Sequence, residues 1–386
     1  MADDVFPILQ IAPTYVDLDR ETIGISNSVR QICLRLAARG WPVTLCCGDH
    51  QAGVRKGTPG VQRISDTLTR HVFAQRANPL LGPGGDVARA VRGLPDVPVA
   101  HVHTCFSAFT EAAMIALQRR GTPYLFTPRG KLSPGPLATR RTAKRLWWAL
   151  KGRRAVLGAA RIVISSDTET VPRSTLGLPE AVDVVPNGYE PFDVDAMRRI
   201  EPKIITEPTI LFLGAIDPRK QPVLLVQAFA QSEAKTTHRL RFVGTDQFGH
   251  EGEVRAATAR LGVADRVDFH GPAYGAEKHQ ILVESRCMVL ASTGEGFPMV
   301  LCEAIGAGLP IITSPFCNFG VAARIGAGLE VPEFTPEAWA SAIDTVCLDD
   351  AGRAAMVAAC ADLAPKITWD ATIDQWIALY RRYARR

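Results

Sequence analysis

Two glutamates in the stretch ASTGEGFPMVLCEAIGAGLPIITS, which runs from Ala291 to Ser314, are the first residues whose types and spacing suggest chemistry. Glu295 stands in a glycine-rich turn, and Glu303 follows eight residues later in an apolar segment of helical character. A carboxylate is seldom buried without a partner, so a glutamate on an apolar helix face requires a cation or a ligand. Each glutamate alone also fits a solvated turn residue or a charge at a helix end.

The residues around this pair predict a strand, a turn and a helix in that order. Pro298 suits the first turn of a helix, where its missing N–H would have had no partner. The amides of residues 299–301 would then be free at the positive end of the helix, which is an anion site. If a nucleotide diphosphate binds there, Glu303 reaches ribose hydroxyls and Glu295 reaches the sugar, because carboxylate oxygens accept hydroxyl protons.

Short apolar runs alternate with longer periodic segments in both halves of the chain, which predicts parallel sheets covered by helices on both faces. The predicted strands of the first half are PILQIAP (Pro7–Pro13), PVTLCC (Pro42–Cys47), VAHVH, PYLFT, RIVIS and VDVVP. Those of the second half are TILFLG, LRFVG, VDFHG, MVLAS and PIITS, with helices near 221–232, 251–262, 276–286 and 298–307. A linker around 188–207 separates the halves. We therefore expect an α/β protein with two doubly wound domains and ligands beyond the carboxyl ends of the strands.

Composition is that of an ordinary globular protein. The chain has 386 residues, 47% of them hydrophobic and 22% charged, which suits two domains. Nine scattered cysteines without a CxxC pattern indicate buried thiols rather than disulfides. The opening residues MADDVFPILQ lack the features of a signal peptide, and no apolar run approaches the roughly 20 residues that span a bilayer. We expect a cytoplasmic protein, attached at most to the inner membrane surface.

Metal-binding patterns are weak. The sequences DLD (Asp17–Asp19) and DVD (Asp193–Asp195) match a D-x-D motif only superficially, since one precedes a helix and the other lies in the linker. His101 and His103 share one strand face, but no third ligand is near them in sequence. We expect His101 to pack under a helix and His103 to face the cleft near the acceptor. Neither a metal nor another cofactor is expected.

The spacing of the two glutamates in S-x-x-E-G-F-P-x-V-L-x-E-A-x-x-A-G-x-P-I-I-x-S resembles the signature of the retaining family-4 glycosyltransferases. Five more segments resemble that family in the same order along the chain. They are ETIGISNSVRQICLRLAARGWPVTLCC, VVPNGYE, LFLGAIDPRKQPVLLVQAFA, VDFHGPAYGAEKHQIL and ITWDATIDQWIALYRRY. The resemblance therefore covers nearly the whole chain.

The resemblance implies the GT-B fold, in which two Rossmann-like domains face a cleft. Residues 1–190 would bind the acceptor, residues 191–366 would bind the nucleotide-sugar, and residues 367–386 would form a helix that returns to the first domain. It implies ribose binding by Glu303, sugar binding by Glu295 and an approach of Lys220 to the diphosphate. The implied donor site is Gly24, Gly214, Arg219, Lys220, Gly271, Pro272, Glu295, Gly296, Phe297, Met299, Val300, Leu301 and Glu303. The implied catalytic residues are Glu295, Lys220, Arg129 and His103.

Two positions depart from the family pattern. Ala215 stands where the family commonly has an arginine, so one diphosphate contact is missing unless Arg219 replaces it. Arg129 stands in the segment T-P-x-G where the family tends to have a histidine, and it is left to contact the diphosphate or an anionic acceptor. These departures leave open a catalytically altered module that binds nucleotide or a membrane surface. A GT-B sugar-nucleotide epimerase is a separate alternative, which the basic segment does not support.

One segment is strongly basic. Residues 112–166 contain no Asp or Glu but twelve Lys or Arg, which leaves 44 − 12 = 32 basic against 39 acidic residues elsewhere. Its helical spacing favours an anionic membrane surface, while a core-facing tryptophan pair with a solvated basic rim fits equally well. No groove-reading motif indicates nucleic acid. The residues of the predicted surface are Arg140, Arg141, Lys144, Arg145, Trp147, Trp148 and Lys151, beside Leu146 and Leu150.

Together these features predict transfer of a hexosyl unit from a nucleoside diphosphate sugar, with UDP slightly favoured over GDP by the resemblance. The expected acceptor is a lipid-linked sugar, oligosaccharide or polysaccharide in cell-surface glycan assembly. Lys220 and the amides at 299–301 would offset the diphosphate charge without a metal. In the family, the leaving phosphate is thought to take the acceptor proton on the same face, so no separate base is required.

Overall fold

The computed structural model describes residues 5–20, 24–51, 54–75, 85–133, 137–138, 141–169, 171–179, 181–199, 207–246 and 249–385. The chain divides into two compact units. The first unit comprises Met1–Pro186 together with Thr372–Arg386, and the second comprises Asn187–Ala371.

The first unit is built on an eight-stranded sheet. Its strands are β1 (Ile8–Ala12), β2 (Val43–Gly48), β5 (Gly60–Arg63), β6 (Leu68–Phe73), β7 (Val99–His103), β8 (Tyr124–Thr127), β9 (Arg161–Ile164) and β10 (Asp183–Val184), and β3 (His50–Gln51) pairs separately with β4 (Val54–Arg55). The sheet order is β10-β9-β8-β7-β1-β2-β6-β5, and β5 is antiparallel to β6 while the other pairs are parallel. Every residue of β1 and β7 is buried, as expected for central strands covered on both faces.

Helices cover this sheet. They are α1 (Gly24–Ala38), α2 (Gly85–Gly93), α3 (Ala108–Arg120), α4 (Arg141–Trp147), α5 (Arg153–Leu157) and α6 (Arg173–Leu176), with a π-helical turn at Trp148–Gly152. Ser107 caps the N-terminus of α3, and Gly121 ends it with the left-handed backbone (φ 68°) that glycine adopts without strain.

The second unit is built on a six-stranded sheet that is parallel throughout. Its strands are β11 (Thr209–Leu213), β12 (Arg239–Val243), β13 (Val267–Gly271), β14 (Ser285–Leu290), β15 (Ile311–Thr313) and β16 (Gly328–Glu330). Their order is β13-β12-β11-β14-β15-β16, which is the doubly wound order of nucleotide-binding sheets. The chain reverses direction across the sheet between β11 and β14, so the loops after these strands diverge and leave room for a ligand.

Eight helices in the described residues belong to this unit. They are α7 (Val194–Arg198), α8 (Pro222–Gln231), α9 (Glu251–Arg260), α10 (Gly275–Glu284), α11 (Met299–Gly306), α12 (Val321–Arg324), α13 (Pro336–Leu348) and α14 (Asp350–Leu363). Short 3₁₀ turns occur at Pro218–Lys220, Glu233–Thr236, Ala264–Arg266, Pro315–Cys317 and Ala364–Ile367.

The final helix, α15 (Trp369–Tyr383), completes the core of the first unit. Ile373, Trp376 and Tyr380 are buried in the same cluster as Ile8 and Val29. The predicted return of this helix to the first domain is therefore confirmed. No helix in the described ranges is both long and apolar enough to cross a membrane.

The predicted fold class is confirmed and every predicted strand is present, but β3, β4, β5, β6 and β16 were not predicted. VDVVP forms only the two-residue strand β10, because Pro186 cannot donate to the sheet. The hairpin of β5 and β6 was not predicted, since β5 (GVQR) is exposed along its whole length and lacks an apolar pattern. All nine cysteines are buried free thiols, as expected.

Candidate functional site

The loops after β11 and β14 meet at the switch point of the six-stranded sheet. Thr293, in the loop after β14, donates from its backbone N to the Arg219 carbonyl at 2.8 Å and from its hydroxyl to the same oxygen at 3.1 Å. Arg219 and Lys220 belong to the loop after β11. The sheet order and these two bonds therefore bring together the two segments that the sequence predicted to bind a nucleotide-sugar.

Lys220 and Glu295 form the centre of this arrangement. The Lys220 ammonium lies 3.7 Å from Glu295 Oε1, and the Ser292 hydroxyl donates to the same carboxylate oxygen at 3.0 Å. Gly214 lies beneath the lysine with φ 143°, a backbone conformation that favours glycine, and a Cβ there would lie 2.6 Å from Lys220 Nζ. The geometry places a cation and an acceptor carboxylate side by side, which suits a ligand that carries both phosphate and hydroxyl groups.

Two asparagines hold the backbone of the loop that carries Glu295. Asn318 Nδ2 donates to the carbonyls of Glu295, at 2.6 Å, and Gly296, at 3.3 Å. Asn187 Nδ2 donates to the Phe297 carbonyl at 3.0 Å. Neither asparagine was predicted as a site residue. Asn187 lies in the segment VVPNGYE that the resemblance had singled out, whereas the sequence gives no signal for Asn318.

Glu303 has a partner that the sequence analysis missed. Lys278, on α10, donates from Nζ to Glu303 Oε1 at 3.0 Å, and the two side chains are only 10% and 13% exposed. This ion pair accounts for a carboxylate on an apolar helix, since it offsets much of the cost of burial. Helical spacing could have indicated Lys278, because it stands on the same buried face of α10 as Ile281 and Leu282.

The prediction of three free amides at the start of α11 is wrong for Leu301. Its N–H donates to the Pro298 carbonyl at 3.1 Å, and its side chain lies fully in the core. Met299 and Val300, which are half-buried, precede it in the first turn. Any anion site at this helix therefore has fewer amides than expected, and Lys220 becomes the more important positive group of the site.

Arg219 is engaged by a neighbouring acid. Asp217 accepts from the Arg219 backbone N at 2.8 Å and from its Nε at 3.0 Å. This hydrogen bond raises the pKa of Arg219, and although burial alone would raise the pKa of Asp217, the same bonds hold it below its ordinary value. The guanidinium is thus oriented toward Asp217, with Ala215 beside it in sequence. Its side chain is 61% exposed.

The remaining predicted donor residues lie at strand ends or in the core. Gly24 begins α1 with φ 61° and Gly271 ends β13 with φ 81°. Apart from their chain neighbours, no described residue has an atom within 4 Å of where a Cβ would stand on either. Pro272 is exposed next to Gly271. Phe297 is buried and packs on Phe319 with ring centroids 4.8 Å apart, so its side chain supports the loop from below.

His101 and His103 belong to a buried polar network in the first unit. His101 is hydrogen-bonded to the Tyr380 hydroxyl at 2.9 Å and to Thr127 Oγ1 at 2.8 Å, so it packs under α15 as predicted. His103 is hydrogen-bonded to Gln10 Oε1 at 2.9 Å. His103 is fully buried, which corrects the expectation that it faces a cleft.

Arg129 closes the same network. Its guanidinium lies 3.3 Å from His103 Nδ1, and its backbone is left-handed with φ 53°. Burial lowers the pKa of Arg129 to about 10 against the favourable influence of Tyr380 and Glu169. The Glu169 carboxylate accepts from the backbone N of Gly130 and of Ser165, while burial raises its pKa. In this structure Arg129 therefore supports a network rather than facing solvent.

The two histidines predict an acid-sensitive first unit. Burial first, and the positive charge of Arg129 second, lower the pKa of His101 well below 6.5, and burial does the same for His103. The unfolded chain then binds protons below about pH 6.5 that the folded unit does not, so stability is present above that pH and is lost below it. The free energy of unfolding can be measured by urea titration at pH 7.5 and 5.5. Between these two pH values, we expect it to fall by about 1–2 kcal/mol less in His101→Gln than in the unmodified protein.

Leu348→Gln, which changes an exposed residue that does not titrate, is the control and should leave the pH dependence of unfolding unchanged. Parallel pH profiles for the unmodified protein and His101→Gln would contradict the prediction.

The basic segment corrects the predicted role of Trp147. Trp147 is buried, with its ring centroid 4.9 Å from that of Phe106, and its ring fills the space beside Gly152. Trp148 is half-buried next to it. Trp147 is therefore a core residue, as in the alternative that the sequence left open.

Two leucines of the basic segment are more than half exposed. Leu146 is 60% exposed and Leu150 is 68% exposed, while Arg141 and Arg145 are exposed on the same segment. Lys144 lies over the Phe106 ring at 5.2 Å, and Lys151 lies 3.5 Å from Glu111 Oε1. Arg140 lies outside the described residues. We call Arg141, Arg145, Leu146 and Leu150 the basic leucine surface.

Among the residues that the structure describes, no group of three or more His, Cys, Asp or Glu side chains is arranged to hold a metal ion. His101 and His103 lie with ring centroids 3.9 Å apart, and their ring nitrogens are engaged by protein groups.

Comparisons with known proteins agree with this geometry. Residues 193–361 match the family model for glycosyl transferases group 1, and residues 24–188 match that for a glycosyl transferase 4-like domain. The chain is 29% identical to the D-inositol 3-phosphate glycosyltransferase of Acidothermus cellulolyticus, over 93% of this chain and 85% of the relative. It is 26% identical to the enzyme of the same name from Rhodococcus opacus, with coverage of 93% and 85%.

Solved structures share the fold. The sucrose-phosphate synthase of Thermosynechococcus elongatus superimposes with a TM-score of 0.74 at 21% identity and 98% coverage of each chain. The Anabaena protein HepE in complex with UDP-glucose superimposes with a TM-score of 0.69 at 18% identity, covering 97% of this chain and 98% of that one. The two family models and the two doubly wound units lead to one conclusion: the chain belongs to the family-4 type of glycosyltransferases, which have the GT-B fold.

Proposed function

We propose that the protein transfers a hexosyl unit from a nucleoside diphosphate sugar with retention of anomeric configuration. The observation that carries this proposal is the contact of Lys220 with Glu295 at the switch point, where the two central loops of the second unit meet. The ammonium suits the diphosphate, and the carboxylate suits the hydroxyls of the transferred sugar. Glu303, about one turn into α11, suits the ribose.

UDP is the proposed nucleotide. The structure of HepE with UDP-glucose and the fold shared with a UDP-forming trehalose-phosphate synthase support this choice. The relatives are named for D-inositol 3-phosphate, and one structural neighbour is named for sucrose phosphate, so these names favour a small phosphorylated acceptor. The basic leucine surface instead favours a lipid-linked acceptor at a membrane. Assays with both acceptor classes separate these two forms of the proposal.

In the proposed reaction, the bond between the anomeric carbon and the β-phosphate oxygen breaks, and its electron pair remains on the departing diphosphate. A new bond forms between the anomeric carbon and the acceptor oxygen on the same face. The acceptor proton passes to the departing phosphate oxygen, so atoms and charge balance without a metal or an added base. Lys220 offsets the charge that develops on the diphosphate.

Thermal melting in EDTA against UDP, GDP, ADP and dTDP, each with and without its attached sugar, tests donor binding. A nucleotide at about 100 times its Kd adds roughly 2.7 kcal/mol of stability, which raises Tm by a few degrees or less. We expect one nucleotide class to raise Tm, and we expect Glu303→Ala to abolish the rise. Glu330→Ala, at an exposed position on β16, is the matched control and should keep it.

If none of the nucleotides or nucleotide-sugars raises Tm, the proposed donor is wrong. A rise in Tm without release of nucleoside diphosphate in the presence of acceptors would favour a binding module. Release of an altered sugar nucleotide would favour an epimerase.

We also propose that the basic leucine surface binds anionic lipid. Two leucines that are more than half exposed beside two exposed arginines provide apolar insertion and charge complementarity at one place. Sedimentation with vesicles of phosphatidylglycerol and phosphatidylcholine tests this. Because each basic residue contributes about 1 kcal/mol, we expect Arg141→Gln with Arg145→Gln to weaken binding to anionic vesicles by about tenfold or more.

Leu146→Gln with Leu150→Gln should also weaken this binding, whereas Leu348→Gln, at another exposed leucine in the second unit, should not. Equal sedimentation with purely neutral vesicles, or no effect of either double variant, would contradict the surface as proposed.

A further inference from the structure

The ion pair between Lys278 and Glu303 is a second buried contact of opposite charges in the second unit. Lys278 is 9% exposed on the inner face of α10, where its neighbours one turn on are Ile281 and Leu282. The other acids of that helix, Glu277 and Glu284, are exposed. Lysine is rarely buried, so a lysine on this buried face requires a structural or functional explanation.

Stability is a weak reason. Taking both charges out of water costs about as much as their attraction returns, and a well-packed apolar pair of similar volume often serves a fold equally well. The pair also joins two helices near their N-termini, because Lys278 lies in the first turn of α10 and Glu303 in the second turn of α11. Both helices begin after strand-end loops that carry predicted donor residues, Gly271 and Glu295.

We propose that Lys278 is a positioning residue that fixes the Glu303 carboxylate for recognition of the ribose diol of the donor. Its ammonium holds Oε1 at 3.0 Å, which sets the plane of the carboxylate and keeps acceptor lone pairs directed to the 2′- and 3′-hydroxyls. This inference rests on the proposed function, since it assigns a further residue to the same donor site.

The consequence is an energetic coupling between Lys278 and the ribose hydroxyls. If the lysine acts only through the orientation of Glu303, its removal weakens the binding of ligands that possess the hydroxyls. The binding of ligands without these hydroxyls stays almost unaffected. If the lysine merely stabilises the unit, its removal would weaken the binding of all nucleotides by the same factor. The two roles therefore differ in a measurable ratio.

Titration calorimetry of the full chain measures this ratio. UDP, GDP and ADP are titrated into the unmodified protein, and the tightest of them is compared with its 2′-deoxy and 3′-deoxy forms. Because hydrogen bonds to charged groups are the strong ones, we expect Lys278→Met to raise Kd for the ribonucleotide about tenfold or more and for a deoxynucleotide less than about threefold. Lys278→Arg should restore binding to within about threefold, since it keeps a cation at the same place.

Two further variants test whether Lys278 acts through Glu303 and whether the effect is specific to this lysine. Glu303→Gln removes the charge that Lys278 orients, so adding Lys278→Met to it should have little additional effect. Lys366→Met, at an exposed lysine of the same unit, is the matched control and should bind like the unmodified protein. Equal weakening of ribo- and deoxynucleotides by Lys278→Met, or no weakening, would overturn the positioning role while the proposed donor stands. If the unmodified protein binds none of the three nucleotides, the proposed function fails with it.

Discussion

Lys220→Met is expected to lower kcat/KM for the nucleotide-sugar by about 10²–10³-fold, because removal of one preorganised charge-stabilising group typically costs that much. The structure makes this lysine the principal cation of its loop. Position 215 is an alanine, and the neighbouring Arg219 is bonded to Asp217. Lys220 instead lies over Gly214 and beside Glu295. Steady-state kinetics with varied donor concentration would measure the loss.

Arg219→Met is the matched control for that experiment. It removes a positive charge one residue away, but from a side chain that is 61% exposed and directed to Asp217. We expect it to reduce kcat/KM less than about tenfold, because the guanidinium is already bonded to Asp217. Equal losses in the two variants would show that the loop contributes only a diffuse positive charge, and the specific role of Lys220 would then be wrong.

Glu295→Gln is expected to lower kcat by about 10²-fold while the Kd of the free nucleotide stays nearly constant. The carboxylate accepts hydroxyl protons of the sugar more strongly than an amide, and a misplaced sugar alone can cost about 10²-fold in rate. The amides of Asn318 and Asn187 hold the backbone of the loop independently of the Glu295 side chain. The substitution should therefore change chemistry rather than loop structure.

Separate measurement of kcat and of nucleotide affinity distinguishes Glu295 from Glu303. Glu303→Gln should weaken binding of the nucleotide itself, whereas Glu295→Gln should lower only kcat. Because Lys220 and Glu295 are in contact, the double variant is expected to lose less than the product of the two single losses. Normal turnover in Glu295→Gln would remove this residue from the catalytic site.

The fold was accessible from sequence because buried parallel strands are continuous apolar runs. Strands such as β1 (ILQIA) and β11 (TILFL) are buried at every position, and each ends near a residue that breaks the pattern. The resemblance implied that Lys220 and Glu295 both approach the donor, and the adjacency of β11 and β14 in the sheet brings their loops together. The β5–β6 hairpin was missed because an exposed edge strand carries no such pattern.

The partners of the site residues were less accessible, because burial and pairing depend on three-dimensional neighbours. Lys278 and Glu303 stand 25 positions apart with no sequence feature that links them, and only the helical position of Lys278 indicated burial. Asn318 lies 23 residues from Glu295, whose carbonyl it binds. For the same reason His103 was expected at a cleft, although Gln10, Arg129 and His101 enclose it.

The position of α15 has a consequence for the order in which the protein is made. Ile373, Trp376 and Tyr380 belong to the core of the first unit, yet in chain order they follow the whole of the second unit. A ribosome therefore releases nearly all of residues 187–371 before the first sheet receives its last buried side chains. During that interval the hydrogen-bonding groups of His101 and Gln10 lack Tyr380, so the earlier-synthesised unit reaches its native core only after the later one has emerged.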